Sequence, residues 1–140
     1  MSQKKIGYAR GAFDLFHVGH VNLLRRARAA CDYLVVGVVP DETLTARKGM
    51  RPVVPLGERV DIVRSMRFVD EVVVDASDDV METWRQVGFT HFFKGDDWRG
   101  TEKGQALEAT LSQVGVEVVY FPYTTTTSST GLRRALDMLG

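Results

Sequence analysis

The chain has 140 residues, 44% of them hydrophobic and 26% charged, with 18 basic and 18 acidic side chains and a formal net charge of zero. One ordinary domain of this size buries a core without disulfide or metal staples. The charge balance excludes a global basic field that would draw it to nucleic acid or an anionic membrane, so any phosphate must be held by locally placed cations and backbone N–H groups. Met1 to Lys5 lead directly into an apolar strand, without the apolar stretch of a signal peptide. Nothing approaches a transmembrane span. Cys31 is the one cysteine, which rules out an intrachain disulfide. A cytoplasmic location and no membrane insertion are the expectations.

In chain order, the pattern predicts a strand over Ile6 to Ala9, a loop, and a helix over 18–30 with Val21, Leu24 and Ala27 on one face. Tyr33 to Val39 is a continuous apolar run suited to a strand covered on both faces. Residues 41–56 read as a long, mostly polar connection carrying Arg47, Lys48 and Arg51, a length that suggests function. A helix is expected over 57–66 and a strand over 71–74. Asp78 or Asp79 can cap a further helix that stops at Gly88. A fourth strand over 90–94 runs into Gly95-Asp96-Asp97-Trp98, a helix covers 102–114, a fifth strand covers 116–121, and a Thr/Ser run precedes a last helix over 132–139. Such alternation predicts an α/β fold, a single doubly wound domain over 1–140 with a five-stranded parallel sheet. Ligands bind beyond the carboxyl ends of such strands, where strand order reverses. Segments 11–20, 95–98 and 123–130 all fall there.

His17 and His20 stand three residues apart at a helix entrance, so both rings can address one ligand. Gly19 lets a ligand approach the backbone closely, and the helix N-terminus favours phosphate. The task suggested is to hold a triphosphate while its α-phosphorus is attacked, with imidazolium donors stabilising the spreading charge. The alternatives are surface or capping histidines, or half a metal site. A zinc site would need further ligands, for which the chain offers only His91 and Cys31, so phosphate binding is preferred.

The stretch Gly11-Ala12-Phe13-Asp14-Leu15-Phe16-His17-Val18-Gly19-His20 resembles the signature of the cytidylyltransferase-like branch of the nucleotidyltransferases. The resemblance continues through Gly57-Glu58-Arg59, Arg67-Phe68-Val69-Asp70-Glu71-Val72 and Ser128-Ser129-Thr130. Lys94-Gly95-Asp96-Asp97-Trp98 is similar to the segment after the fourth strand in bacterial glycerol-3-phosphate cytidylyltransferases. What the resemblance implies is a Rossmann-like fold, CTP with Mg²⁺, a small phosphorylated alcohol as acceptor, a CDP-alcohol and pyrophosphate as products, and a homodimer. Mg²⁺ would be held mainly by the triphosphate rather than by a protein cage.

Within that frame His17, His20, Lys48 and Arg59 are the expected catalytic residues. Lys48, and less directly Arg51, would form a mobile cationic clamp; the plain alternative is solvated loop charge. Arg59 opens a helix, where a cation is unfavourable to the dipole unless a phosphate compensates; the alternative is a surface ion pair with Glu58 or Asp61. Gly11, Ala12, Phe13 and Gly19 would shape the nucleotide cradle, joined by Asp97, Ser128, Ser129 and Thr130. The last three are also N-cap candidates. Asp14, Asp96 and Trp98 are assigned to the acceptor, although Asp14 could also help hold Mg²⁺, pair with a basic side chain or orient a backbone turn, and the orienting role is slightly preferred.

Two positions depart from the family pattern. Ala12 replaces a hydroxyl residue, and Tyr123 stands where the glycerol-3-phosphate enzymes carry Arg. The first reading is therefore transfer of CMP from CTP to glycerol-3-phosphate or a related polyol phosphate. The others are an adenylyltransferase acting on a sugar phosphate or FMN, and a nucleotide-binding module that has lost catalysis. A nucleic-acid-binding role, suggested by a similar element in some tRNA synthetases, is disfavoured by the neutral charge.

Overall fold

The apolar run after the first helix becomes a central strand because both of its faces are covered. In the computed structural model, which describes residues 4–122 and 126–139, this strand is β2, Tyr33–Val38, preceded by β1, Ile6–Gly11, and α1, Val18–Ala29. Leu34, Val36 and Val38 are buried with Ala9, Leu24, Ala27, Val63 and Phe93 on one side of the sheet. Val35 is buried on the other side with Tyr8, Phe89, Phe92 and Leu111. Alternation along a strand sends successive side chains to opposite faces, so one apolar run feeds two cores.

The remaining elements are α2, Asp41–Lys48; α3, Leu56–Arg64; β3, Glu71–Val74; α4, Val80–Val87; β4, His91–Gly95; α5, Glu102–Ser112; β5, Glu117–Phe121; and α6, Ser129–Leu139. All strand pairings are parallel, in the order β3-β2-β1-β4-β5. The expected five-stranded α/β architecture is thus what the chain adopts. Strand order reverses between β1 and β4, which opens a crevice at their carboxyl ends. Val80–Val87 is capped by the Asp79 carboxylate, which accepts from Met81 N, and is ended by Gly88 in the left-handed region.

Two segments differ from the sequence reading. Residues 41–48, expected as connection, form α2. Pro40 at its N-cap sets φ to −66°, Asp41 and Glu42 occupy the first turn, Arg47 and Lys48 the last, and Gly49 at φ 70° ends it. These are ordinary helix-end signals. They were masked because only Leu44 is buried, leaving no apolar stripe. The last helix also starts at Ser129 rather than near Leu132. Ser128 Oγ accepts from Gly131 N at 3.0 Å and acts as its cap.

Candidate active site

Between β1 and α1 the backbone turns through a loop in which Phe13 and Leu15 both have φ of 53°. A non-glycine residue in the left-handed region costs about 1–2 kcal/mol, so this shape must be imposed from outside. Two buried charges impose it. The Asp14 carboxylate accepts from Val53 N and Val54 N, each at 2.9 Å, and from Arg133 of α6. Arg59, fully buried, donates from Nη1 to the carbonyls of Ala12 at 2.7 Å and Val39 at 2.8 Å. Its Nε donates to Val54 O at 2.8 Å, and Nη2 pairs with Asp41. One guanidinium therefore ties the end of β1, the end of β2, α2 and the 49–55 loop together.

This bears on two assignments. Arg59 does not face a ligand: its donors are spent on three carbonyls and a carboxylate, and it is absent from the cavity wall. The compensation that its place at a helix start demands comes from Asp41 rather than from a substrate phosphate, nor does it pair with Glu58 or Asp61. Asp14 touches the cavity, but its oxygens are held by the loop and by Arg133. These bonds suit the orienting role, the slightly preferred of the readings of Asp14.

The histidines follow directly. His17 is the N-cap of α1, and its Nδ1 accepts from Gly19 N at 3.0 Å. His20 Nδ1 accepts from His17 N at 3.1 Å. Each side chain thereby satisfies a backbone donor at the helix start, as in a capping box. A nitrogen that accepts carries no proton, so both rings hold theirs on Nε2. The ring centroids are 4.0 Å apart, and Phe16 stacks on His20 at 5.0 Å. Capping, offered as an alternative to ligand binding, is thus the device that fixes the tautomer with which a ligand would be met.

Burial pushes the pKa of His17 down. His20 is lowered to about 4 by burial and by the neighbouring His17, with Asp14 pulling the other way. Both rings are accordingly neutral Nε2–H donors near pH 7, where the sequence suggested imidazolium. A second proton could go only to Nδ1, where it would displace the backbone N–H that each ring accepts.

A cavity of about 360 Å³ opens at the β1–β4 switch point. Its wall includes Gly11, Ala12, Phe13, Asp14, His17, Gly19, His20, Lys48, Asp97, Ser129 and Thr130. Most of the expected site is therefore brought to one place. At Gly11 a Cβ would stand 3.2 Å from the Phe13 ring, so any side chain there would have to push the ring aside by a few tenths of an ångström. Asp96, Trp98 and Ser128 stand outside the wall. Asp96 is exposed; Trp98 turns its ring to Lys94, whose Nζ lies 3.7 Å from the ring centre; and Ser128 caps α6. Arg51 is exposed and does not reach the wall. Tyr123 and Thr124 lie outside the described residues.

Three cations that the sequence reading left out of the site also line the cavity: Arg10, Lys94 and Arg133. Arg10 is aimed by Asp75, 3.0 Å from its Nε, and by the Ser77 carbonyl, 2.8 Å from Nη2. Asp75 is itself buried and also takes the Tyr8 hydroxyl. For Arg10 and Lys94 the available signal was position, since both sit at the carboxyl end of strands flanking the switch point. For Arg133 the signal was only its nearness in sequence to Tyr123, where it or Arg134 could stand in for the missing Arg. Its place depends on where α6 docks, and that is set by the Asp14 pairing and by Ser129 Oγ donating to Asp14 O at 2.7 Å.

Residues 8–135 match the family model described as cytidylyltransferase-like. An Arabidopsis thaliana protein named ethanolamine-phosphate cytidylyltransferase is 45% identical over 95 residues, which cover 64% of this chain and 22% of that protein. An FAD synthase from Thermococcus sibiricus is 32% identical over 114 residues, covering 81% of this chain and 77% of the relative. The bifunctional protein HldE of Streptomyces coelicolor is 38% identical over 125 residues, 89% of this chain and 27% of its own. The chain thus spans about a fifth of the length of the ethanolamine-phosphate relative. Among solved structures, a lipopolysaccharide core biosynthesis protein of Thermoplasma volcanium aligns at a TM-score of 0.73 with 22% identity, over 89% of this chain and all of that one. At that identity it speaks for the fold alone.

Proposed function

Because this chain belongs to the cytidylyltransferase-like family, we propose that its cavity transfers CMP from CTP to a small phosphorylated alcohol, giving a CDP-alcohol and pyrophosphate. The observation that carries the reading is the pair of His17 and His20, locked by their own helix start into Nε2–H donors on the wall of the switch-point cavity. Donors fixed in advance stabilise charge that develops on phosphoryl oxygens without reorganising during the reaction. Lys48 and Arg133 add positive charge to the same cavity. Ser129, Thr130 and the N–H groups of α6 suit the terminal phosphates. No covalent nucleophile is required, since in phosphoryl chemistry positioning and electrostatics supply most of the catalysis.

The carboxylates on the wall are Asp14, already satisfied, and Asp97. Among the described residues no group of three His, Cys, Asp or Glu converges on a metal position. The donor set therefore fits a Mg²⁺ that arrives on the triphosphate, with at most Asp97 as a protein oxygen, and does not fit a resident cage. Bound there, the ion would neutralise charge on the phosphates.

Ethanolamine phosphate, through the relatives' name, and glycerol-3-phosphate, through Gly95-Asp96-Asp97-Trp98, are the first acceptors to try. The FAD synthase and HldE likenesses support a second reading, adenylyl transfer to FMN or a sugar phosphate. Pyrophosphate release measured with CTP and with ATP against these four acceptors separates the readings. Turnover with CTP and a phosphorylated alcohol is expected to dominate; turnover confined to ATP would replace the first reading with the second, and none with either would remove both. The homodimer implied by the resemblance belongs to this proposal and is checked by sedimentation. No helix among the described residues is long and apolar enough to cross a membrane.

A further inference from the structure

The cations of the cavity fall on two sides of the sheet rim. β1 and β4 run parallel, with Tyr8 opposite Phe92 and Ala9 opposite Phe93. One residue further on, at the carboxyl rim, Arg10 stands beside Lys94. By alternation both share the sheet face of Tyr8 and Phe92, which packs with Phe89 and Leu111. Leu24 and Ala27 of α1 pack on the opposite face with Ala9 and Phe93, so the histidines enter from that side. Ser129 and Arg133 of α6 bind Asp14 in the loop before α1. The cavity thus has a histidine and α6 wall and, across the rim, an Arg10 and Lys94 wall.

Like charges side by side are unfavourable without an anion between them. Arg10 has Asp75. Lys94 and Lys48 have no carboxylate within ion-pair distance among the described residues. Burial lowers the pKa of Lys94, and the fields of Arg10, Lys48 and Lys103 add to this against the single opposing charge of Asp97. The balance at this wall is positive, in a concave site, with one amine laid over the Trp98 ring.

Displacement at phosphorus places the incoming and leaving oxygens roughly in line on opposite sides. With the leaving pyrophosphate at the α6 wall and the α-phosphate at His17 and His20, the nucleophile must arrive from the other side. We infer that Lys94, flanked by Arg10 and Lys48, binds the phosphate of the acceptor alcohol and selects acceptors that carry a phosphate or phosphonate dianion. An oxygen of that phosphate forms the new bond to the α-phosphorus. The bond from the α-phosphorus to the bridging oxygen breaks, and its electron pair leaves with pyrophosphate. The attacking oxygen carries no proton, so no base is needed, in keeping with two histidines whose Nδ1 atoms are occupied by backbone donors.

This rests on the transferase reading, and two measurements keep the two apart. In pyrophosphate-release kinetics, Lys94→Met is expected to raise the acceptor KM about tenfold or more, the scale of one charge-assisted bond. The CTP KM should stay within about twofold, and Lys94→Arg should restore most of the loss. A rise in the CTP KM instead, or no change in either, overturns the inference. The second measurement needs no turnover. In a Trp84→Phe background Trp98 is the remaining tryptophan, and titration with inorganic phosphate should give a saturable change in its emission that Lys94→Met abolishes. Identical titrations with and without Lys94 overturn the inference, even for a chain that releases no pyrophosphate.

Discussion

Arg59 and Lys94 are both cations near the end of β1, and they have opposite fates. Arg59 is fully buried and its donors meet Ala12 O, Val39 O, Val54 O and Asp41. Lys94 lines the cavity over an aromatic face with no carboxylate at ion-pair distance among the described residues. The charges under the histidines are held by partners from the fold, whereas at the rim across from them Lys94 has no carboxylate at ion-pair distance among the described residues, beside an Arg10 that has Asp75. A charge whose partners are all supplied by the fold gives shape; a charge lacking them has attraction left for a ligand. Loss in the first region should therefore appear in stability, and loss in the second in binding.

The largest effect should come where the two regions meet. His20→Ala removes one preset donor and is expected to lower turnover about 10²–10³-fold, the scale of a single oxyanion-type donor, in pyrophosphate-release assays on folded protein. Next, Arg59→Met should cost about 3–5 kcal/mol in denaturant unfolding, because Asp41 and three carbonyls lose a buried partner. Removing Asp41 as well, as Asp41→Leu, should recover part of that cost. A purely catalytic loss with unchanged stability would return Arg59 to the substrate side. Asp14→Asn should cost about 1–3 kcal/mol and loosen α6 through Arg133, read as faster amide exchange at Ser129 and Thr130.

A further effect is a pH dependence. His20 has its folded pKa lowered to about 4, below the ordinary histidine value near 6.5. Between these values the unfolded chain binds more protons, so stability falls as pH drops through that window. Thermal melts from pH 7 to 4.5 should show the decline, and His20→Asn should flatten it. Asp14 adds its own loss only at lower pH. Burial alone would raise its pKa, but the N–H bonds of Val53 and Val54 and the Arg133 pairing outweigh burial and lower it.

The alternation of strands and helices was legible because buried parallel strands are unbroken apolar runs and helix stops fall on glycines such as Gly88. Helix α2 was not, since with Leu44 alone buried its signals lay in end charges and Gly49. The histidines were readable from spacing and position, and Lys48 from the resemblance to the family. The role of Arg59 was not, because the same residue at a helix start serves a ligand or a strut, and only the positions of Ala12, Val39 and Val54 in space decide between them. The role of Lys94 was not legible from its motif, since its meaning depends on standing beside Arg10 on the neighbouring strand, a fact of register rather than of sequence distance.

The central claim is that this cavity transfers a nucleotidyl group with fixed imidazole donors. The direct measurement is pyrophosphate release from CTP with ethanolamine phosphate or glycerol-3-phosphate, by the unaltered chain and by a His17→Ala, His20→Ala variant of matched circular dichroism. Release coupled to a CDP-alcohol, lost in the variant, is the predicted result. Equal release by both proteins would contradict it.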